Sequence, residues 1–243
     1  VQNMNTCDEI WTVSKGAGEN LHSLGYEGDY IIMPNGVDFP RGRADSDGVA
    51  ELRADYELKD GIPVFIFVGR LFWYKGLHLI FDSLKQLSER GIEYKMLVVG
   101  DGGDREEMEK YTQELGISDS CIFVGAINSR EELRYYYSAS DLFLFPSLYD
   151  TNGIVVREAA ACGLASILIK GSCAAEDFTD QHNAILTEND VESFTGDLIF
   201  AASHLAELKR IGENAMNEVY LSWENAVERA YDRYSVVIEN CKR

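Results

Sequence analysis

The chain has 243 residues, 46% of them hydrophobic, which is enough to bury one large core or a core plus an appendage. Lys and Arg number 22 against 41 Asp and Glu, a net charge of −19, which argues against non-specific nucleic-acid binding and against adsorption of this region to an anionic membrane. No hydrophobic run approaches a membrane span and no signal peptide is visible, which points to a cytoplasmic context.

In chain order, strands are expected near 30–34, 63–68, 95–99, 121–124, 141–145, 165–169 and 183–186, alternating with helical patterns. That alternation predicts an α/β fold, a doubly wound, Rossmann-like parallel sheet covered on both faces. The strand-like run Pro63-Val-Phe-Ile-Phe67 leads into Val68-Gly-Arg-Leu-Phe-Trp-Tyr-Lys-Gly76 and then an amphipathic helix carrying Leu77, Ile80, Phe81, Leu84 and Leu87. Arg70 and Lys75 thus lie in a loop at the carboxyl end of a strand, the edge at which open α/β sheets bind ligands. His78, early in the same helix, is expected to be a partly exposed helix histidine rather than a phosphate ligand.

Gly100-Asp-Gly-Gly-Asp104 follows the next strand and invites a dinucleotide-binding reading. Arg105 stands where the third glycine belongs, and Asp101 and Asp104 repel a pyrophosphate, so a tight turn with Asp104 capping the next helix is expected instead. Ser129 and Glu132 have the spacing of a capping box.

The most informative segment runs from Phe145 to Leu164. It places Asp150 and Glu158 across a strand-to-helix junction with Gly153 at the helix start, where free N–H groups and the helix dipole favour an anion. Glu158 shares its face with Ile154, Val155, Ala161 and Cys162, so its carboxylate needs a partner, either a neighbouring Arg or Lys or a ligand.

Cys7, Cys121, Cys162, Cys173 and Cys241 form an odd, scattered set, read as buried thiols rather than a disulfide framework, and with the dispersed histidines they show no metal-ligand spacing. From Asp190 onward the tail reads as helical throughout, with Trp223, Val227, Ala230, Tyr231 and Tyr234 in one stripe. Such a stripe is usually core packing.

The basic loop and the acid-glycine-acid helix start, together with Asp8-Glu-Ile-Trp-Thr-Val-Ser14, Met33-Pro-Asn-Gly-Val-Asp38 and Leu97-Val-Val-Gly-Asp-Gly102, resemble the donor half of retaining GT-B glycosyltransferases of family four, in this order and over nearly the whole chain. The family signature is an acid, seven residues and a glutamate, places that Asp150 and Glu158 take here. Asp150 departs from the usual Glu, and Asn152 replaces the aromatic residue common before the glycine.

The resemblance implies transfer of a glycosyl group, a hexose, from a UDP- or GDP-sugar with retention of anomeric configuration and no metal. It divides the chain into a remnant of an acceptor domain plus hinge (1–38), a Rossmann-like donor domain (39–222) and a crossover helix (223–243). The acceptor-binding domain is expected to be missing, in keeping with a start at Val1 rather than Met, and the fragment to have little activity alone. Membrane contact is expected only peripherally, at the inner face, through that missing domain. The diphosphate is assigned to Arg70, Lys75 and the N–H groups of Gly153, Ile154 and Val155, with Gly69 beside it. The ribose goes to Glu158, the sugar to Asp150 and the base to the loop Gly125-Ala126-Ile127-Asn128. Asp150 and Glu158 are binders on this reading, not the acid pair of a glycoside hydrolase. A non-catalytic module that binds a nucleotide sugar or a partner protein is the alternative. A phosphorylase or epimerase of the same fold is not expected to carry this combination of motifs.

Overall fold

The computed structural model describes residues 3–241; Val1, Gln2, Lys242 and Arg243 lie outside the described residues, as do the side chains of Asn5 and Cys241. Within them the strands are β1 (Trp11–Thr12), β2 (Ile31–Ile32), β3 (Val64–Val68), β4 (Lys95–Val99), β5 (Cys121–Gly125), β6 (Leu142–Phe145), β7 (Ala165–Ile169) and β8 (Ile185–Thr187). The helices are α1 (Lys15–Ser23), α2 (Ser46–Asp55), α3 (Leu77–Glu89), α4 (Arg105–Glu114), α5 (Arg130–Ala139), α6 (Ile154–Ala161), α7 (Val191–Ser203), α8 (Leu205–Glu218) and α9 (Trp223–Cys241).

β3 to β8 form one parallel sheet in the order β5-β4-β3-β6-β7-β8, while β1 and β2 pair in parallel as a separate two-stranded sheet. The central strands β3 and β6 are buried on both faces because they are apolar at every position, and the alternation of side chains along the sheet sorts the core into two layers. Ile66, Val68, Leu97, Phe143 and Phe145 meet α5 and α6 through Tyr137, Val156 and Ala160. Phe65, Phe67, Met96, Val98 and Leu144 meet α3, α7 and α8 through Ile80, Leu84, Phe194 and Ile211.

The chain winds outward from β3 to β5, returns to pair β6 with β3 (Phe65 opposite Leu142, Ile66 opposite Phe143), and winds out the other way. The β3/β6 boundary is therefore the topological switch point, where loops leaving the carboxyl ends diverge and open a crevice. The two loops singled out by sequence, after β3 and after β6, flank it.

Several helix ends follow from their sequence. Ser129 caps α5 by accepting from the Glu132 N–H at 3.2 Å, as the capping box predicts. Asp104 does not cap α4; its carboxylate accepts from the Trp73 N–H at 2.8 Å and so braces the loop after β3. Gly100 is demanded by close approach rather than by a cofactor, since a Cβ there would lie 1.9 Å from the Gly69 carbonyl oxygen.

Among the described residues the tail is helical, as expected, in the pieces α7, α8 and α9, with breaks at His204 and at 219–222, where Val37 N–H bonds to the Leu221 carbonyl at 2.9 Å. Nor does the α9 stripe form core: Trp223, Val227, Tyr231 and Tyr234 are exposed, although Tyr234 also lies 4.8 Å from the Trp11 ring and Arg233 pairs with Glu9. Cys121 and Cys162 are buried as expected, and burial raises their thiols to about 12 and about 11; contrary to that expectation Cys7, which follows a short 3-10 turn near the start of the chain, is exposed, and Cys173, which opens another after β7, is half-buried.

Candidate functional site

A cleft of about 350 Å³ opens at the switch point, lined by Gly69, Arg70 and Lys75 from the loop after β3 and by Asp150, Gly153, Ile154 and Val155 from the junction after β6. Seven of the residues expected at a donor site thus share one wall. Asn35 and Asn152 line it too.

The loop after β3 tightens into a short 3-10 turn, Trp73–Lys75, which aims Lys75 inward. Its ammonium contacts both oxygens of Asp150, at 2.6 and 2.8 Å, with the lysine side chain 11% and the aspartate 24% exposed. Arg70 is exposed and donates to the Tyr74 hydroxyl at 3.2 Å, with its guanidinium 5.8 Å over the Phe72 ring. His78 is exposed and stacks on Trp73 at 3.7 Å.

At the junction, Gly153 holds φ +59° and starts α6, which no side chain caps. The amino end of α6 therefore offers unsatisfied N–H groups and partial positive charge beside Arg70 and Lys75. Cations and helix end converge as an anion site requires.

Glu158 lies one turn deeper, outside the cleft lining and only 3% exposed. It is ion-paired with Arg130, and the Tyr137 hydroxyl lies 3.2 Å from its Oε2. Burial raises the Glu158 carboxyl above its ordinary range, with Arg130 and Tyr137 pulling the other way; burial also lifts the Tyr137 phenol well above normal, leaving it a donor. Of the two partners left open by sequence, the protein itself supplies one.

Ala126, Ile127 and Asn128 do not line the cleft. They run from the end of β5 to the Ser129 cap, and the next residue, Arg130, is the one that reaches Glu158. Arg130, Tyr137 and Asn35 were not picked out as site residues by sequence, and Asn152 was singled out only as a departure from the family pattern. Asn35 sits in the Met33–Asp38 motif and Arg130 opens the capped helix, so both had signals, while Tyr137 looks like any core aromatic.

The opening segment also borders this region. Asn152 donates from Nδ2 to the Val13 carbonyl at 2.8 Å, and Glu176 accepts from the Lys15 and Gly16 N–H groups at 2.7 and 2.6 Å, tying the start of α1 to the turn after β7. Among the described residues no group of three or more His, Cys, Asp or Glu side chains could hold a metal ion, and no helix is long and apolar enough to cross a membrane.

The family profile described as "Glycosyl transferases group 1" matches residues 49–218. Similar curated proteins include the 2-deoxystreptamine glucosyltransferase of Streptomyces kanamyceticus, 28% identical over 77% of this chain and 45% of its own length. Another is a GDP-mannose-dependent alpha-(1-6)-phosphatidylinositol monomannoside mannosyltransferase of Mycolicibacterium smegmatis, 29% identical over 69% of this chain and 46% of its own. The chain spans about half the length of these relatives. Among solved structures, Anabaena HepE in complex with UDP and glucose superposes with a TM-score of 0.84 over 94% of this chain and 63% of that one, at 19% identity. Sucrose-phosphate synthase of Thermosynechococcus elongatus does so with 0.84 over 96% and 59%, at 22% identity; both likenesses are of fold.

Proposed function

Since the chain belongs to the glycosyl transferases group 1 family, we propose that its switch-point cleft binds a nucleotide diphosphate sugar and that the chain supplies the donor half of a glycosyl transfer. The observation that carries this reading is the convergence of Arg70, Lys75 and the uncapped start of α6 on one crevice. These groups hold the diphosphate. As the glycosidic bond breaks, negative charge grows on the departing phosphate, and donors already in place lower the barrier where that charge develops.

Glu158 accepts from the ribose hydroxyls, Asp150 meets the sugar and the loop Ala126–Asn128 meets the base, largely through main-chain groups. Lys75 and Glu158 each have a protein partner in the free chain, so donor binding exchanges these pairs for contacts with the ligand. The glycosyl group is a hexose and is transferred with retention, a reading supported by the resemblance of the Asp150–Glu158 signature and by the glucosyl- and mannosyltransferases among the relatives. UDP- and GDP-sugars are the donors to test, given a structural neighbour that holds UDP and a relative named for GDP-mannose. Residues 1–38 are the tail of an acceptor domain, 39–222 the donor domain and 223–243 a crossover helix. The acceptor side comes from the part of the relatives' length that this chain does not span.

The same internal pairs favour a second reading. A non-catalytic module could keep Lys75–Asp150 and Arg130–Glu158 as permanent structural bridges. Joining the chain to an acceptor domain of a relative and following UDP or GDP release from donor sugars decides between them. Acceptor-dependent release, lost in Lys75→Ala, supports transfer; donor binding without release supports the module.

A further inference from the structure

The two oxygens of the Glu158 carboxylate have partners of opposite character. Oε1 is paired with Arg130, whose side chain is 55% exposed and whose Nη2 already lies 3.9 Å from a second carboxylate, that of Asp38. Oε2 lies 3.2 Å from the Tyr137 hydroxyl. Tyr137 is wholly buried, its ring set edge-on to Phe39 and Phe143 with centroids 5.9 and 5.8 Å away. Arg130 can turn toward Asp38, whereas Tyr137 cannot move without repacking the core. The Tyr137 hydroxyl has one proton and two acceptors in reach, Oε2 and the Val155 carbonyl at 3.3 Å, and the anionic oxygen is the stronger acceptor. A phenylalanine would fill the same space, so packing alone gives no reason for the hydroxyl.

We propose that Tyr137 is a positioning residue for the donor nucleotide: its hydroxyl holds Oε2 of Glu158, so that Oε1 faces the ribose hydroxyls once Arg130 has turned to Asp38. This rests on the reading of the cleft as a nucleotide-sugar site, and Tyr137 itself does not touch the ligand. Burial drives Glu158 toward the neutral acid, which is a poorer acceptor than the carboxylate, and Arg130 and Tyr137 oppose that shift. When Arg130 leaves, Tyr137 is the member of that pair that stays. Burial also keeps the phenol protonated, so the donor is always present. Tyr137 thereby sets both the orientation and the charge of the carboxylate that the ribose meets.

The 243-residue chain and Tyr137→Phe are titrated by calorimetry with UDP, GDP and their 2′-deoxy and 3′-deoxy forms from about pH 5 to about pH 8. The proposal expects the wild type to prefer a ribonucleotide over a deoxy form, and Tyr137→Phe to shrink that preference by about threefold to tenfold, the range of one hydrogen bond. The deoxy form should bind Tyr137→Phe as it binds the wild type, which also shows that the variant is folded. As pH falls, the remaining preference should vanish at a higher pH in Tyr137→Phe, because Glu158 has lost a donor that keeps it ionised; the diphosphate is common to both ligands and cancels in the ratio. If Tyr137→Phe weakens both forms alike, keeps the preference or shows no shift in pH, the hydroxyl is a core tie and the proposal fails. Should Tyr137→Phe not fold, Tyr137→3-fluorotyrosine decides, since it keeps the ring and makes the hydroxyl a stronger donor. The pH at which the preference vanishes must then fall, and an unmoved pH overturns the proposal. A wild type that binds nucleotides without distinguishing the deoxy forms overturns the proposal but leaves the diphosphate reading of the cleft standing, and one that binds no nucleotide overturns both.

Discussion

Replacing Gly153 by Ala strains the junction in two ways that the coordinates make explicit. The residue holds φ +59°, a left-handed conformation that costs an L side chain about 1–2 kcal/mol. The added Cβ would also lie 2.9 Å from the Ala174 Cβ and 3.2 Å from Val156 Cγ2, closer than side chains tolerate, and such overpacking adds about 1–3 kcal/mol. Lower entropy of the unfolded chain returns about 0.4–1 kcal/mol. The net expectation is a loss of about 2–4 kcal/mol, the lower figure alone being a fall in Tm of about 4–8 °C for a domain of this size. Denaturant and thermal unfolding measure it, with Gly196→Ala as a control. Gly196 sits inside α7 with nothing within 4 Å of its added Cβ, so the same change there should stabilise by about 0.5–1 kcal/mol. Equal effects at the two positions would refute the argument from backbone and contact geometry.

Other consequences follow from the two ion pairs. Arg130→Ala leaves the Glu158 carboxylate buried with Tyr137 alone. Because Arg130 is half exposed, we expect a loss of about 1–3 kcal/mol rather than that of a fully buried pair. The Glu158 carboxyl is already raised by burial and rises further without Arg130, so the unfolded chain releases this proton first. Its contribution to stability falls as pH climbs from the ordinary carboxylate range through the raised folded value. The Arg130→Ala defect should accordingly be larger at about pH 8 than at about pH 5 in urea titrations; a defect independent of pH contradicts this. Asp150→Asn frees Lys75 from both of its close contacts and should raise affinity for bare UDP or GDP by about threefold while reducing the increment from the sugar, read by calorimetry. A fall in both affinities would show instead that Asp150 holds Lys75 in place for the phosphate.

The large sheet was legible because each of its strands is a short apolar run closed by glycine or a polar turn, as at Val68-Gly69 and Val99-Gly100. The cleft was legible too, since the motifs after β3 and β6 lie on contiguous stretches and parallel winding brings both loops to one edge. Partnerships across the fold were not. That Asp104 would brace Trp73, that Lys75 would choose Asp150 or that Arg130 would reach Glu158 depends on distances between loops far apart in sequence, which local spacing does not encode. Periodicity likewise found the α9 stripe, but the core packing that such a stripe usually signals is not what it forms; Val227 and Tyr231 prove exposed.

The most direct test is calorimetric titration of this chain with UDP, GDP and ADP and their common sugar conjugates, without added metal, beside Arg70→Ala. Arg70 lines the cleft and, among the described residues, is held by the Tyr74 hydroxyl and the Phe72 ring of its own loop, so its loss should weaken an anion far more than it disturbs the fold. The account predicts saturable binding of one nucleotide series, reduced about tenfold or more in Arg70→Ala, as expected on deleting a charge-assisted contact. Binding that Arg70→Ala leaves untouched, or no binding of any nucleotide, would contradict it.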